Sequence, residues 1–366
     1  MTEPAPVFMG GGSGGHLYPA LAIAEAIRRE RPNARCVFLC STKPIDATIL
    51  SSEGVEFHPI PAAPAVMRPT GLVRLMRSWG PSVRTARAVF QQLKRDGFDP
   101  RPVAMGGYVA APCVQAASAE KRPALMVNLD AVPGLANKYI ARKATRIVTA
   151  APVEGRDWTR VRPIVRRAAL PSRPPTECRA SFTLDPDRRT LLVTGGSQGA
   201  RSVGDFLAAF VRTNPGALEG WQILHQTGGA ANAEYERAYA DAGVRALVVD
   251  YIDRMGDAWG GADLAIARAG AGAVAEAWGA GVPCLFMPYP YHKDQHQKRN
   301  AAPLVECGGA QILDDHIDAK ANLAAHAGEL SALLTSPDRL ASMRMALSKL
   351  PRPDGADAVA RMILDA

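Results

Sequence analysis

Residues 7–19 read Val7-Phe8-Met9-Gly10-Gly11-Gly12-Ser13-Gly14-Gly15-His16-Leu17-Tyr18-Pro19, a short apolar run that enters glycines and then a helical pattern. Residues 192–201 use the same device again: Leu192-Val193-Thr194-Gly195-Gly196-Ser197-Gln198-Gly199-Ala200-Arg201. A strand, a glycine turn and a helix open a βαβ unit, so two openings predict two nucleotide-type domains. Outward from the first, short apolar runs alternate with helical patterns: Cys36–Cys40, Pro102–Met105, Leu125–Val127 and Arg146–Thr149. Outward from the second come Gln222–His225, Ala246–Val249, Leu264–Ala267 and Pro283–Met287. The Pro- and Arg-rich stretch between the halves reads as a linker. The expected organisation is a first Rossmann-like domain over 1–162, a linker over 163–189 and a second domain over 190–345. A last helix within 346–366 is expected to pack back on the first domain. The fold class is α/β, two Rossmann-like domains facing each other across a cleft, with ligands at the carboxyl ends of the strands.

A length of 366 residues exceeds what one ordinary core organises, which agrees with two domains. The 47% hydrophobic and 21% charged composition is that of a globular chain. No window approaches 18 uninterrupted apolar residues, and the N-terminus lacks the basic and apolar regions of a secretory signal. A cytoplasmic protein is expected. Six scattered cysteines without a CxxC pair read as buried, reduced thiols rather than a zinc site. The net charge of +8 is unevenly spread. Eight Lys or Arg face two acids between Arg68 and Arg101, and nine face two between Arg142 and Arg173. Such stretches suit phosphates, nucleic acid or an anionic membrane surface.

Gly10, Gly12 and Gly15 satisfy the GxGxxG dinucleotide fingerprint, which is weak alone. An NAD site also wants an acid at the end of the second strand to hold a ribose. That strand ends Cys40-Ser41-Thr42, and the nearest acid, Asp46, follows a proline. The helix behind the loop offers a better account, since its N-terminal N–H groups and dipole attract phosphate. His16 directly follows the last glycine and is a candidate general base near neutral pH.

Several motifs now agree in order. Gly10–His16 with Pro19, Met105-Gly-Gly-Tyr-Val109 with Pro112, and Gly195–Arg201 resemble the three glycine loops of the MurG family, glycosyltransferase family 28 with the GT-B architecture. His225-Gln-Thr-Gly228, Tyr251-Ile-Asp253 with Met255, the run from Arg268 to Pro283, and Asp294–Asn300 are similar to that family as well. The resemblance implies an inverting hexosyltransferase that moves N-acetylglucosamine from UDP-N-acetylglucosamine to an undecaprenyl-linked muramoyl-peptide acceptor, in peptidoglycan synthesis. It implies no metal and no cofactor, because a helix dipole and cationic groups can stabilise departing UDP. On the acceptor side it points to Ser13, Gly14, Gly15, Tyr108 and Asn128. On the donor side Glu276 matches the ribose acid, Ile252 the uracil contact, and Ser197, Gln198 and Arg268 the phosphate side. Gly270 and Ala271 lead the donor helix, and His296 and Gln297 match contacts to the donor sugar.

The departures fall on the acceptor side. Gly134-Leu-Ala-Asn-Lys138 is kept, but the family's preceding glutamate position is Asn128, which cannot take a proton. His16 is therefore the first candidate base and Asp130 the second. The family's Ser-Gly-Ala is Ala269-Gly270-Ala271, with a hydroxyl lost. Arg68, Leu72, Arg74, Leu75, Arg77 and Trp79 form an interleaved basic and apolar stretch, expected to dock peripherally on the inner face of the membrane. Three alternatives stay open: the same donor with another acceptor, a basic nucleic-acid-binding protein, and an NAD-dependent dehydrogenase. The nucleic-acid reading lacks a recognition motif or clustered aromatics, so no nucleic-acid partner is expected.

Overall fold

The computed structural model describes residues 2–66, 68–196, 199–229 and 231–365. The chain forms two compact units, Met1–Arg166 with Asp354–Ala366, and Arg167–Pro353.

The first unit runs β1 (Glu3–Met9), α1 (Gly14–Glu30), β2 (Val37–Ser41), α2 (Pro44–Ser52), β3 (Glu56–Ile60) and α3 (Pro69–Arg95). It continues through β4 (Phe98–Ala104), α4 (Gly107–Ala119), β5 (Leu125–Asn128), α5 (Leu135–Ala141), β6 (Arg146–Thr149) and β7 (Thr159–Arg160). All pairings are parallel, in the order β3-β2-β1-β4-β5-β6-β7. Ala5, Val7 and Met9 join Val37 and Leu39 in one core. Phe8 and Phe38, paired in register, stack at 5.1 Å on the opposite face. Each such side chain, fully buried, contributes about 1.5–3 kcal/mol relative to exposure.

The second unit runs α6 (Pro175–Ala180), β8 (Arg189–Thr194), α7 (Arg201–Thr213), β9 (Trp221–Gln226), α8 (Asn232–Asp241) and β10 (Ala246–Val249). Then come α9 (Met255–Gly261), β11 (Leu264–Ala267), α10 (Ala271–Ala280), β12 (Cys284–Phe286), α11 (His296–Glu306), β13 (Ala310–Ile312), α12 (Ala319–Thr335) and α13 (Pro337–Ser348). Its parallel sheet has the order β10-β9-β8-β11-β12-β13. Leu191 and Val193 enter one apolar cluster and Leu192 the other, as a two-residue period requires when helices cover both faces. Both units thus share one strand order, which reverses between β1 and β4 and between β8 and β11. Those reversals are the switch points where such sheets bind ligands.

Four differences from the sequence reading have physical causes. Strands β3, β7 and β13 were not anticipated; each lies at a sheet edge, where polar residues and proline are tolerated. Strands β1 and β4 begin earlier than expected, because Pro4, Pro6 and Pro100 lack the N–H that a ladder position ordinarily donates and so break the strand pattern. The stretch 163–189 is not a free linker. Arg166 pairs with Glu25 and Glu53 in the first unit, while Arg179 bonds Asp263 at 2.8 Å within the second. The return to the first unit also starts later than residue 346. Leu347 of α13 still belongs to the core of the second unit, and the first unit resumes only at Asp354. Helix α14 (Gly355–Leu364) packs on α1, with Arg29 paired to Asp357 and Arg101 capping the carbonyls of Ile363 and Leu364.

Candidate active site

In the first unit the loop after β1 and the turn after β4 meet at the switch point. Ser13 is the N-cap of α1 and its hydroxyl makes no capping hydrogen bond. The N–H groups of Gly14 and Gly15 open the helix, where no intrahelical acceptor reaches them. Gly12 adopts φ +91°, and a Cβ there would come within 2.8 Å of the Tyr108 ring, so Tyr108 lies across the loop. The His16 ring packs against Gly107: a Cβ on that residue would sit 3.0 Å from Nε2. Gly107 itself has φ +77°, so a side chain there is excluded twice over.

The His16 ring sits in dense protein although the residue keeps an accessible edge, and its Nδ1 is buried with no hydrogen-bond partner. Burial is the largest effect on its titration and lowers it from the ordinary histidine value. The charge of Asp130, the polar backbone of Met105 and the charge of Asp46 act in the opposite direction. The net result is a neutral imidazole at pH 7, the form a base requires.

Asn128 plays another part than the expected one. It is fully buried; Nδ2 donates to Asp130 O at 2.7 Å and to Thr149 Oγ1 at 2.9 Å. Its Oδ1 accepts from Asn137 Nδ2 at 3.0 Å. With both amide hydrogens engaged, Asn128 holds the β5–α5 loop rather than a substrate, and it carries the backbone of Asp130 with it.

In the second unit Ser197 and Gln198 lie outside the described residues. The glycines around them have steric reasons: a Cβ on Gly199 would fall 1.8 Å from Thr227 O, and one on Gly195 2.1 Å from Ala200 N. Arg268 is engaged inside the unit. Its guanidinium donates to Met287 O at 2.7 Å, Asp315 Oδ2 at 2.7 Å and Ser202 Oγ at 2.9 Å, and lies over the Tyr289 ring. Asp315 is buried, so the cation is neutralised inside the unit and ties the ends of β11, β12 and β13 to α7.

Gly270 is the N-cap of α10 and Ala271 its first residue, while Asn300 Nδ2 reaches Ala269 O at 3.4 Å. Glu276 lies on α10 and accepts from the buried Trp259 Nε1 at 2.9 Å. Burial pushes its carboxyl up to about 7, against the opposing indole hydrogen bond. Ile252, three residues after β10, is buried. His296 Nδ1 bonds Asp294 Oδ1 at 2.8 Å, and its ring lies 4.4 Å from that of His292. Gln297 Oε1 accepts from Tyr289 N at 2.9 Å. Among the described residues no group of three His, Cys, Asp or Glu could hold a metal ion. His225, singled out by its motif, is buried against Tyr239 with its titration pushed down to about 4, and is part of the core.

Sequence reasoning missed Asp46, Trp259 and Asp315. The first was visible as the acid nearest the end of β2; the other two have no local signal, since their partners are 17 and 47 residues away.

On α3, Arg68, Arg74 and Arg77 are exposed, and so are Leu72, Val73 and Met76, the last 77%. Leu75 is half-buried. Trp79 turns inward: Nε1 donates to Gln115 Oε1 at 2.7 Å and its ring meets Tyr139 edge-on. These contacts make it part of the packing of the unit. Val66, just before the helix, is also exposed. No described helix is long and apolar enough to cross a membrane.

Residues 7–149 match the glycosyltransferase family 28 N-terminal domain, and residues 190–359 its C-terminal domain. A protein of Nocardioides sp. named UDP-N-acetylglucosamine--N-acetylmuramyl-(pentapeptide) pyrophosphoryl-undecaprenol N-acetylglucosamine transferase is 35% identical, over 97% of this chain and 96% of its own. One of the same name from Salinibacter ruber is 36% identical, over 100% and 98%. Among solved structures, MurG of Acinetobacter baumannii superposes with a TM-score of 0.71 at 25% identity, covering 99% of this chain and 100% of that one. A putative UDP-N-acetylglucosamine 2-epimerase from Listeria monocytogenes shares the fold at 14% identity, with a TM-score of 0.65 and coverage of 100% and 95%. With both domain models matched in order and relatives aligned along their whole length, the chain belongs to glycosyltransferase family 28 and has the GT-B fold.

Proposed function

We propose that this chain transfers N-acetylglucosamine from UDP-N-acetylglucosamine to an undecaprenyl-diphosphoryl muramoyl-peptide, the reaction that its full-length relatives are named for. That end-to-end identity is the observation that carries the reading. The second unit serves the donor. Ionised Glu276 accepts both ribose hydroxyls, the Ile252 backbone meets uracil, and the Ser197–Gln198 loop meets the diphosphate. His296 and Gln297, at the start of α11, meet the sugar. The first unit serves the acceptor through Ser13, Gly14, Gly15 and Tyr108.

Transfer is a single displacement with inversion. An acceptor hydroxyl oxygen attacks the anomeric carbon, its proton passes to His16, and the electron pair of the breaking C–O bond leaves with UDP. Asp130 stabilises the imidazolium that forms, since its charge already favours that state.

The acceptor carries a lipid tail too apolar to leave a bilayer, so the enzyme works from the cytoplasm as a peripheral protein on the inner face of the membrane. Val66, Leu72, Val73 and Met76 enter the interface, while Arg68, Arg74 and Arg77 meet anionic headgroups. A second acceptor is the rival reading, and the altered segment Val127–Asp130 favours it. The deciding test is a transfer assay with UDP-N-acetylglucosamine against the muramoyl-pentapeptide lipid and other lipid-linked sugars. Disaccharide formed on the muramoyl lipid alone supports the proposal; product on another sugar lipid alone overturns it.

A further inference from the structure

Asp46 lies in the first turn of α2, is fully buried, and beyond the effect of its charge on His16 has no part in the chemistry described above. Its Oδ2 accepts three hydrogen bonds: from Gly12 N at 2.7 Å, Ser41 N at 2.9 Å and Ser41 Oγ at 2.7 Å. Its Oδ1 is buried as well and has no hydrogen-bond partner. From the same turn, exposed Lys43 donates from Nζ to Gly12 O at 2.9 Å. The Gly12 backbone is therefore gripped at its N–H by a carboxylate and at its carbonyl by an ammonium.

A buried carboxylate with one bare oxygen carries a desolvation cost, which the three donors on the other oxygen offset. Gly12 needs this grip. Its φ of +91° lies in the left-handed region, and Tyr108 occupies the space where a side chain would stand. Without a side chain of its own, Gly12 depends on neighbours to fix the direction in which the loop enters α1. Ser13, Gly14, Gly15 and His16 follow at once, so a swing at Gly12 would move every acceptor-side group together. In a dinucleotide-binding domain the acid at the end of the second strand holds a ribose. Here the corresponding acid holds its own glycine loop, and its burial removes it from any ligand.

We propose that Asp46 is a positioning residue for the transfer reaction: by fixing Gly12 it aims the first turn of α1, and with it His16, at the acceptor. This rests on the proposed function, but its test has an arm independent of activity. Full-length wild type, Asp46→Asn and Asp46→Ala are compared by steady-state kinetics, UDP calorimetry and backbone hydrogen exchange. Asp46→Ala should lower kcat at least 100-fold, with the acceptor KM moving less than fivefold and UDP affinity changing less than twofold. Asp46→Asn keeps one oxygen for Gly12 N–H and should recover about tenfold of the loss; it also serves if the alanine variant does not fold. Exchange should quicken at least tenfold in a peptide covering 10–16, while peptides of β4 and β5 stay protected. Faster exchange throughout the first unit would make Asp46 an anchor of α2 and overturn the proposal. So would wild-type kcat in a folded Asp46→Ala chain. Should wild type itself transfer nothing, the proposed function fails, and the exchange pattern alone decides whether Asp46 holds the loop.

Discussion

The loops after β1 and β8 grow from the same sequence device on sheets of the same strand order, yet they handle charge in opposite ways. In the first unit a neutral imidazole sits with two acids acting on it, and the loop is held by a carboxylate on a glycine N–H. In the second an arginine is neutralised by a buried aspartate and holds the loops from behind, while a carboxyl raised to about 7 waits on α10. The contrast separates work. On the proposed function, the first unit receives the proton and the second binds the donor.

The sharpest way to break this comparison is to remove the imidazole. His16→Ala should lower kcat by ~10²–10⁴-fold at saturating donor, the usual effect of losing a general base, while UDP affinity stays within twofold. Equal turnover would leave His16 a packing role and move the chemistry elsewhere.

Next in size is the buried ion pair of the second unit. Arg268→Ala strands Asp315 without its cation and should cost about 3–5 kcal/mol in urea unfolding. The pair Arg268→Met with Asp315→Leu should recover most of that loss, because it removes both charges. If the single variant unfolds like wild type, Arg268 is free to meet the diphosphate after all.

Glu276→Ala should weaken UDP by about 1–3 kcal/mol in calorimetry, the magnitude of hydrogen bonds to a charged group. The pH dependence sharpens this. Ribose hydroxyls favour the ionised carboxylate, and the free carboxyl titrates at about 7. UDP-N-acetylglucosamine, a diphosphate diester with no proton to lose in this range, should therefore bind more tightly from pH 6 to pH 8 in wild type and with a flat profile in the variant. A flat wild-type profile contradicts the ribose role.

The smallest effects belong to α3. Arg68, Arg74 and Arg77 should each contribute ~1 kcal/mol of binding to anionic vesicles, screened by salt. The triple Arg→Ala variant should sediment less with such vesicles, whereas Trp79→Phe should bind as wild type does, because Trp79 faces Gln115 and Tyr139. Loss of binding in Trp79→Phe alone would restore the indole as an anchor.

The central strands were legible because their apolar runs lie deep in a parallel sheet, where burial on both faces leaves a continuous hydrophobic signal. Of the four edge strands only β10 carried such a run; β3, β7 and β13 did not, since an edge tolerates polar residues and proline. Glu276 and His16 could be singled out from motif and position, but not their states. A titration depends on what surrounds the group, and those neighbours come from other elements. Asn128 and Arg268 show the same limit from the other side. Both residue types suit a ligand, and only the fold reveals that Asn137, Thr149 and Asp315 already engage them. The sequence by itself determined two glycine-turn βα openings, their order, and the family to which that order points. The tertiary structure decided which polar groups remain free for a substrate. Hydrogen-bond partners are fixed by distance in space, and no local pattern encodes a contact formed across 47 residues.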